Sequence, residues 1–328
     1  MFLRKMLLMV LAGLVAGSAA QAVQLRMKYV KDQEQTNKTD VNLTGKLEVE
    51  GSQRLSGNAS GKCGVSMSQK AIETDDKGGA NLEMRLSNLN VTMDSEADWG
   101  EGKKTYSLKL DENGGTMTDN GKAEPIPPLP DVKSQSWQVK MNSLGAPEAF
   151  DLDSSQMGTQ EAEDVKKMSQ SIAGIVSKSS PLPEKDVKAG DTWETVLSVK
   201  DLTNSLAKDN PMLGVVTDLG IPDVKTSSTL KELRQEAGNE IAVINSTTNL
   251  IWKDGNIPLG PVNLTLKSLE VKSESITEMN NTKGMIPRTT TVTTLDFEIV
   301  VNSAVGSEGP STYNAKGSLK LESVITIN

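Results

Sequence analysis

Apolar residues recur at every second position over most of this chain, a period that suits strands and not helices. The alternation runs through Leu25, Met27 and Tyr29, then Val41, Leu43, Leu47 and Val49, then Cys63, Val65 and Met67. It continues at Leu82, Met84 and Leu86, at Tyr106, Leu108 and Leu110, and at Trp137, Val139 and Met141. After a break it returns at Ile241 and Val243, at Leu264 and Leu266, at Leu295, Phe297, Ile299 and Val301, and at Leu319, Leu321, Ile325 and Ile327. Lys, Glu, Asn, Thr and Ser fill the positions between. Each strand therefore has one dry and one wet face, the pattern of antiparallel sheet.

Turn residues divide these runs. Asp75–Gly79, Asp111–Gly115, Asn120-Gly121, Asp254-Gly255 and Asn280–Gly284 all supply residues that tolerate positive φ, and each is expected to be a turn. The apolar phase slips by one residue between Leu86 and Leu89, and again between Leu266 and Leu269. Such a slip inside a long strand predicts a β-bulge, which bends and twists a sheet. The expected fold is mainly β, built of curved antiparallel sheets in a half-barrel or a sandwich.

The middle of the chain reads differently. Glu124-Pro-Ile-Pro-Pro-Leu-Pro130 is a stiff, extended connector. From Thr159 to Ser177 the period lengthens, with Val165, Met168, Ile172 and Ile175 on one stripe. Thr159 is a suitable N-cap, Glu161, Glu163 and Asp164 complement the positive end, and Pro181 lies beyond the close. These features predict one amphipathic helix at 159–177, with a shorter helical piece through Leu202–Leu206. The two flanks read as related halves. Lys70–Met84 and Lys231–Val243 are each a strand, a glycine turn and a strand. The division is then a leader at 1–22, an N-terminal β half at 23–153, the helix and connector at 154–188, and a C-terminal β half at 189–328.

Residues 1–22 have the order of a secretory signal. Arg4 and Lys5 precede an apolar core from Met6 to Val15, and Ala20-Gln21-Ala22 fits the A-x-A cleavage pattern. About ten strongly apolar residues fall short of the roughly 20 that cross a bilayer. The expectation is a mature chain starting at Val23, periplasmic or extracellular, with no transmembrane segment after cleavage. Loss of Arg4 and Lys5 takes the formal charge from −8 to −10. An acidic chain without basic runs is a poor partner for nucleic acid.

Histidine is absent, which removes His-activated nucleophiles, His-ligated zinc and imidazole bases. No calcium loop, S-x-x-K, phosphate-cradling glycine loop or Asp-Thr-Gly signature is present, so no catalytic residue, metal or cofactor is expected. Carboxylate chemistry survives as the alternative, for example a glycosidase with two acidic groups flanking a cleft. Cys63, alone, forms no intramolecular disulfide. Its setting in an alternating run suits a small buried hydrophobe, with a reactive thiol or a dimer bridge as the other readings.

At Ser180-Pro-Leu-Pro-Glu-Lys-Asp-Val-Lys-Ala-Gly-Asp-Thr-Trp193 the chain resembles a family of uncharacterised exported bacterial β proteins that carry a similar Leu-Pro-x-Lys-x-Val-x-x-Gly-Asp-x-Trp segment after a central helix. A C-terminal hairpin like Asn281–Pro287 followed by a Thr-rich strand is shared as well. The resemblance implies location and fold and carries over no catalytic residue. Physically, Gly-Asp-x-Trp is a turn entering a strand, with Trp193 covering one end of a core. Asp191 and Trp193 are also candidates for ligand contact.

Seven Asn-x-Ser/Thr sequons accompany the general richness in Asn, Ser and Thr. Met67, Met84, Met93, Met141 and Met168 fall on apolar faces, either as ordinary core filling or as the lining of a deformable apolar cavity. Together these features predict a non-enzymatic envelope or secreted binding module. Its partner would be an apolar small molecule or lipid, or an envelope protein. The candidate ligand contacts are Val165, Met168, Ile172 and Ile175 of the helix, with Asp191 and Trp193.

Overall fold

A computed structural model describes residues 22–51, 54–98, 102–128, 136–152, 181–201, 204, 220–259, 262–303 and 311–327. The described residues form fourteen strands in one sheet, so they do not adopt the sandwich alternative. They are β1 (Glu34–Glu50), β2 (Leu55–Thr74), β3 (Ala80–Asp98), β4 (Lys103–Asp111), β5 (Gly114–Asp119), β6 (Lys122–Ile126), β7 (Ser136–Met141) and β8 (Pro147–Leu152). After the middle segment come β9 (Thr192–Leu197), β10 (Val224–Glu236), β11 (Asn239–Leu259), β12 (Val262–Asn280), β13 (Met285–Ser303) and β14 (Ser311–Ile327). The spatial order is β6-β5-β4-β3-β2-β1-β14-β13-β12-β11-β10-β9, all antiparallel. Each half is thus an up-and-down meander, and β1 pairs with β14 to join them. The near half of β3 pairs β7, which in turn pairs β8, and the far half pairs β4.

The expected turns close most hairpins. Asn120 (φ 47°) and Gly121 (φ 84°) turn β5 into β6, and Ala237 (φ 47°) with Gly238 (φ 80°) turns β10 into β11. Asp254-Gly255 is not a turn. It lies inside β11, where Asp254 at φ 58° interrupts the ladder and pairing resumes at Gly255. An Asp-Gly pair makes a hairpin only where the strand's partner also ends, and here β12 continues alongside. Both predicted bulges are present: the β2–β3 register shifts beside Leu86, and the β12–β13 register shifts between Leu266 and Ser268.

One end of the sheet is capped. Residues 22–33 run across it, bonded from Val23 to Val187, from Met27 N to Ser143 O (2.7 Å), from Lys28 N to Gly284 O (2.8 Å) and from Asp32 N to Ala71 O (2.8 Å). Leu25, Met27 and Tyr29, expected in a strand, belong to this strap instead. Period 2 follows from any extended backbone, paired or not. Leu25 of the strap packs with Leu182, Val187, Leu230, Ala242, Ile244 and Met279, with Leu25, Leu230, Ala242 and Met279 at 0 % exposure. A second small cluster gathers Ala71, Ala80 and Leu82, flanked by Tyr29, Met84 and Met141. The phase of β11 here is the reverse of the expectation. Ala242 and Ile244 face this core, and Ile241 with Val243 lies on the other side.

The exposed edges are blunted. β6 is five residues long and carries Lys122, Glu124 and Pro125, which discourage edge-to-edge pairing. Helical residues are described at 199–201 and at 204, and the rest of the piece expected through Leu202–Leu206 lies outside the described residues. The helix predicted at 159–177, with Val165, Met168, Ile172 and Ile175, lies outside the described residues.

Candidate functional site

Strand register sorts the side chains of this sheet into two chemically opposite faces. On one face Lys38, Asp40, Glu270, Lys272, Lys320 and Glu322 form ion pairs between neighbours two apart along a strand, at 2.6–2.9 Å. These are exposed pairs and contribute little stability. The other face is more sheltered at almost every position. From the row of Leu230 and Ile244 outward to the far end, β1, β2, β3 and β9–β14 place no described charged side chain on it.

The far half of this face is apolar and is covered by no described element. Trp252, Leu269, Phe297, Gly317 and Leu47 stand opposite one another across β11, β12, β13, β14 and β1. Glycines make room for the large rings. A Cβ on Gly317 would collide with the Phe297 ring, and one on Gly255 would collide with the Trp252 ring. Leu47 in this half stays open to solvent (37 %), as do Met93 (41 %) and Ile325 (37 %) nearer the cap on the same face. Met67, Met84, Met93 and Met141 all fall on this face, as does Cys63, a free thiol between Val41 and Val91.

Asp191 and Trp193 are brought together at the capped end. Gly190 takes φ 93° and donates to Leu230 O (2.8 Å), while Leu230 N donates to Asp191 O (3.0 Å). The Asp191 carboxylate accepts from Lys188 N (3.0 Å), and Trp193 Nε1 donates to Pro181 O (3.1 Å). Trp193 packs on the buried cluster, so the segment is the turn into β9 with an indole over the core. Both residues line an open groove of about 830 Å³ beside the edge strand, shared with residues 182–187. The other four candidates, Val165, Met168, Ile172 and Ile175, lie outside the described residues. The sequence reading missed the uncharged face as a unit, since its members come from nine strands.

Tyr29 and Asp75 carry resolved shifts near the cap. Burial against the second cluster pushes the Tyr29 hydroxyl up to about 12. The Asp75 carboxyl is held below the usual range, chiefly by the hydrogen bond from Gly79 N. Among the described residues no cluster of three or more His, Cys, Asp or Glu is placed to hold a metal, and no helix is long and apolar enough to cross a membrane.

No protein-family model and no curated protein matches the chain. Among solved structures, Pseudomonas aeruginosa OccK7 (OpdD) aligns over 90 % of this chain and 99 % of its own at 6 % identity, with a TM-score of 0.19. P. aeruginosa OccK5 (OpdH) aligns over 89 % and 98 % at 7 % identity, with a TM-score of 0.13. Scores this low describe no shared fold.

Proposed function

We propose that this is an exported, non-enzymatic binding protein that holds an apolar ligand against the uncharged face of its sheet. One observation carries the reading: nine strands keep every described charge off one face beyond the capped core, and the far half of that face is covered by no described element. An apolar area of this extent is costly to leave wet, and in soluble proteins such areas mark binding surfaces. Ionic ligands are disfavoured, because these nine strands offer no described counter-charge on the face. Export is the expectation from the Arg4–Ala22 pattern.

The test is titration of the protein with a fluorescent methyl ester of a long-chain fatty acid. Leu295→Asp places a charge on the sheltered face of β13, and Val292→Asp places the same charge on the opposite face of the same strand, at a position already 37 % exposed. Wild type and Val292→Asp are expected to bind the ester, and Leu295→Asp to lose it. Absence of binding to the wild type, or equal binding by both variants, would overturn the proposal.

A further inference from the structure

Register assembles a line of hydroxyls that the sequence keeps far apart. Ser228 on β10 stands opposite Ser246 on β11, which faces Ser275 on β12, then Thr291 on β13 and Ser323 on β14. Cross-strand hydrogen bonds widen this line into a belt: Ser228 with Ser246 at 2.7 Å, Thr226 with Thr248 at 2.7 Å, Ser273 with Thr293 at 2.9 Å, and Thr277 with Thr289 at 3.3 Å. On β12 and β13 the belt is three alternate residues deep, roughly 13 Å along the strands.

The belt interrupts an aliphatic surface. Toward the cap it meets Leu230 and Ile244. Toward the far end the next row is Leu250, Val271, Leu295 and Leu319, again directly opposed. Belt and aliphatic rows share a face and a similar degree of shelter, so exposure does not explain the change of chemistry. A surface built only to exclude water would continue with Val and Leu, since a sheltered hydroxyl must find a partner. Each cross-strand pair satisfies one donor and one acceptor site and leaves one hydroxyl hydrogen and further lone pairs available.

We propose that the belt binds the uncharged, hydroxyl-bearing head of an amphiphile whose hydrocarbon tail lies over the adjoining far half of the face. The chemical class is a neutral glyceride. Phosphate or carboxylate heads are disfavoured there, because β1–β3 and β9–β14 place no described cation on this face to pair with them. The inference rests on the binding proposal above and adds the head group and the orientation.

Three probes with one fluorescent tail separate the two ideas: a monoacylglycerol, the free fatty acid at pH 7, and the tail as a plain alkane. Wild type is expected to bind the monoacylglycerol about tenfold more tightly than the alkane, as one or two hydrogen bonds allow. The fatty acid should be the weakest. Thr291→Val with Ser275→Ala and Ser323→Ala should bring monoacylglycerol and alkane to within about twofold, with alkane affinity unchanged. Thr291→Val alone, nearly isosteric, provides a partial loss should the triple variant fold poorly. Equal binding of monoacylglycerol and alkane by wild type, or an unaltered preference in both variants, overturns the belt inference and leaves apolar binding standing. No binding of any probe overturns both. Sedimentation showing a stable dimer that Leu295→Asp dissociates would make a second copy the occupant, and would also overturn it.

Discussion

Leu230 and Leu47 place the same side chain at two stations of one sheet face, and truncating each distinguishes a packed core from an open binding surface. Leu230 is 0 % exposed among the capped-end residues, while Leu47 is 37 % exposed between Gly57 and Gly317. Leucine to alanine removes three carbons, about 2.4 kcal/mol at ~0.8 kcal/mol each when fully buried. At Leu230 the strap and the β9 turn hold the walls in place, and a residual cavity raises the total to about 3–5 kcal/mol. At Leu47 the partial exposure scales the transfer to about 1.5 kcal/mol, and water enters, so no cavity adds to it. Urea unfolding of ligand-free protein, followed by tryptophan fluorescence, measures both. The expected gap is about 1.5–3.5 kcal/mol. Equal losses would show that the far half is packed as tightly as the capped end, and would remove the basis for a binding face.

Ala237→Gly should stabilise the protein by about 0.5–1 kcal/mol, because Ala237 sits at φ 47° in the β10–β11 turn; the urea midpoint reads it. Gly317→Ala should destabilise through collision with the Phe297 ring, and Phe297→Ala should relieve part of that cost, giving a double-mutant coupling of about 0.5–3 kcal/mol. The Tyr29 hydroxyl, raised from 10.0 to about 12, stabilises the fold fully below pH 10 and loses that contribution as pH rises toward 12. Two units correspond to about 2.7 kcal/mol, so Tyr29→Phe should flatten the alkaline stability loss and remove a late-titrating phenol from the ultraviolet titration.

The legible part of this fold was its local part. Alternation at Leu264, Leu266, Leu295 and Phe297 marked strands, and single-residue slips at Leu86–Leu89 and Leu266–Leu269 marked bulges, because a strand's own side chains record its pleat. Gly190–Trp193 likewise read as a turn entering a strand with an indole on the core. What failed needed knowledge of neighbours. Asp254-Gly255 has turn chemistry but sits beside an uninterrupted β12, and Leu25–Tyr29 has strand periodicity but crosses the sheet end as a strap. Ile241 and Val243 alternate as well as Ala242 and Ile244, and only packing beneath the strap selects the second pair. The hydroxyl belt was invisible for the same reason: Ser228 and Ser323 are ordinary polar residues until register aligns them.

The pairing of β1 with β14 sets the order in which such a molecule can be built. Every other ladder on the main path joins strands adjacent in sequence, apart from the side pairing of β3 with β7, so each meander can zip from its own turns at small entropic cost. The join between Asn37–Glu50 and Asn314–Ile327 closes a loop of more than 260 residues and waits until β14 has been synthesised. Until then β1 and β14 are two long unsatisfied edges with apolar flanks, open to the wrong partner. The slowest folding step and the greatest aggregation hazard therefore fall at one seam in the middle of the sheet. A holdase that shields β1 during synthesis would protect the whole fold.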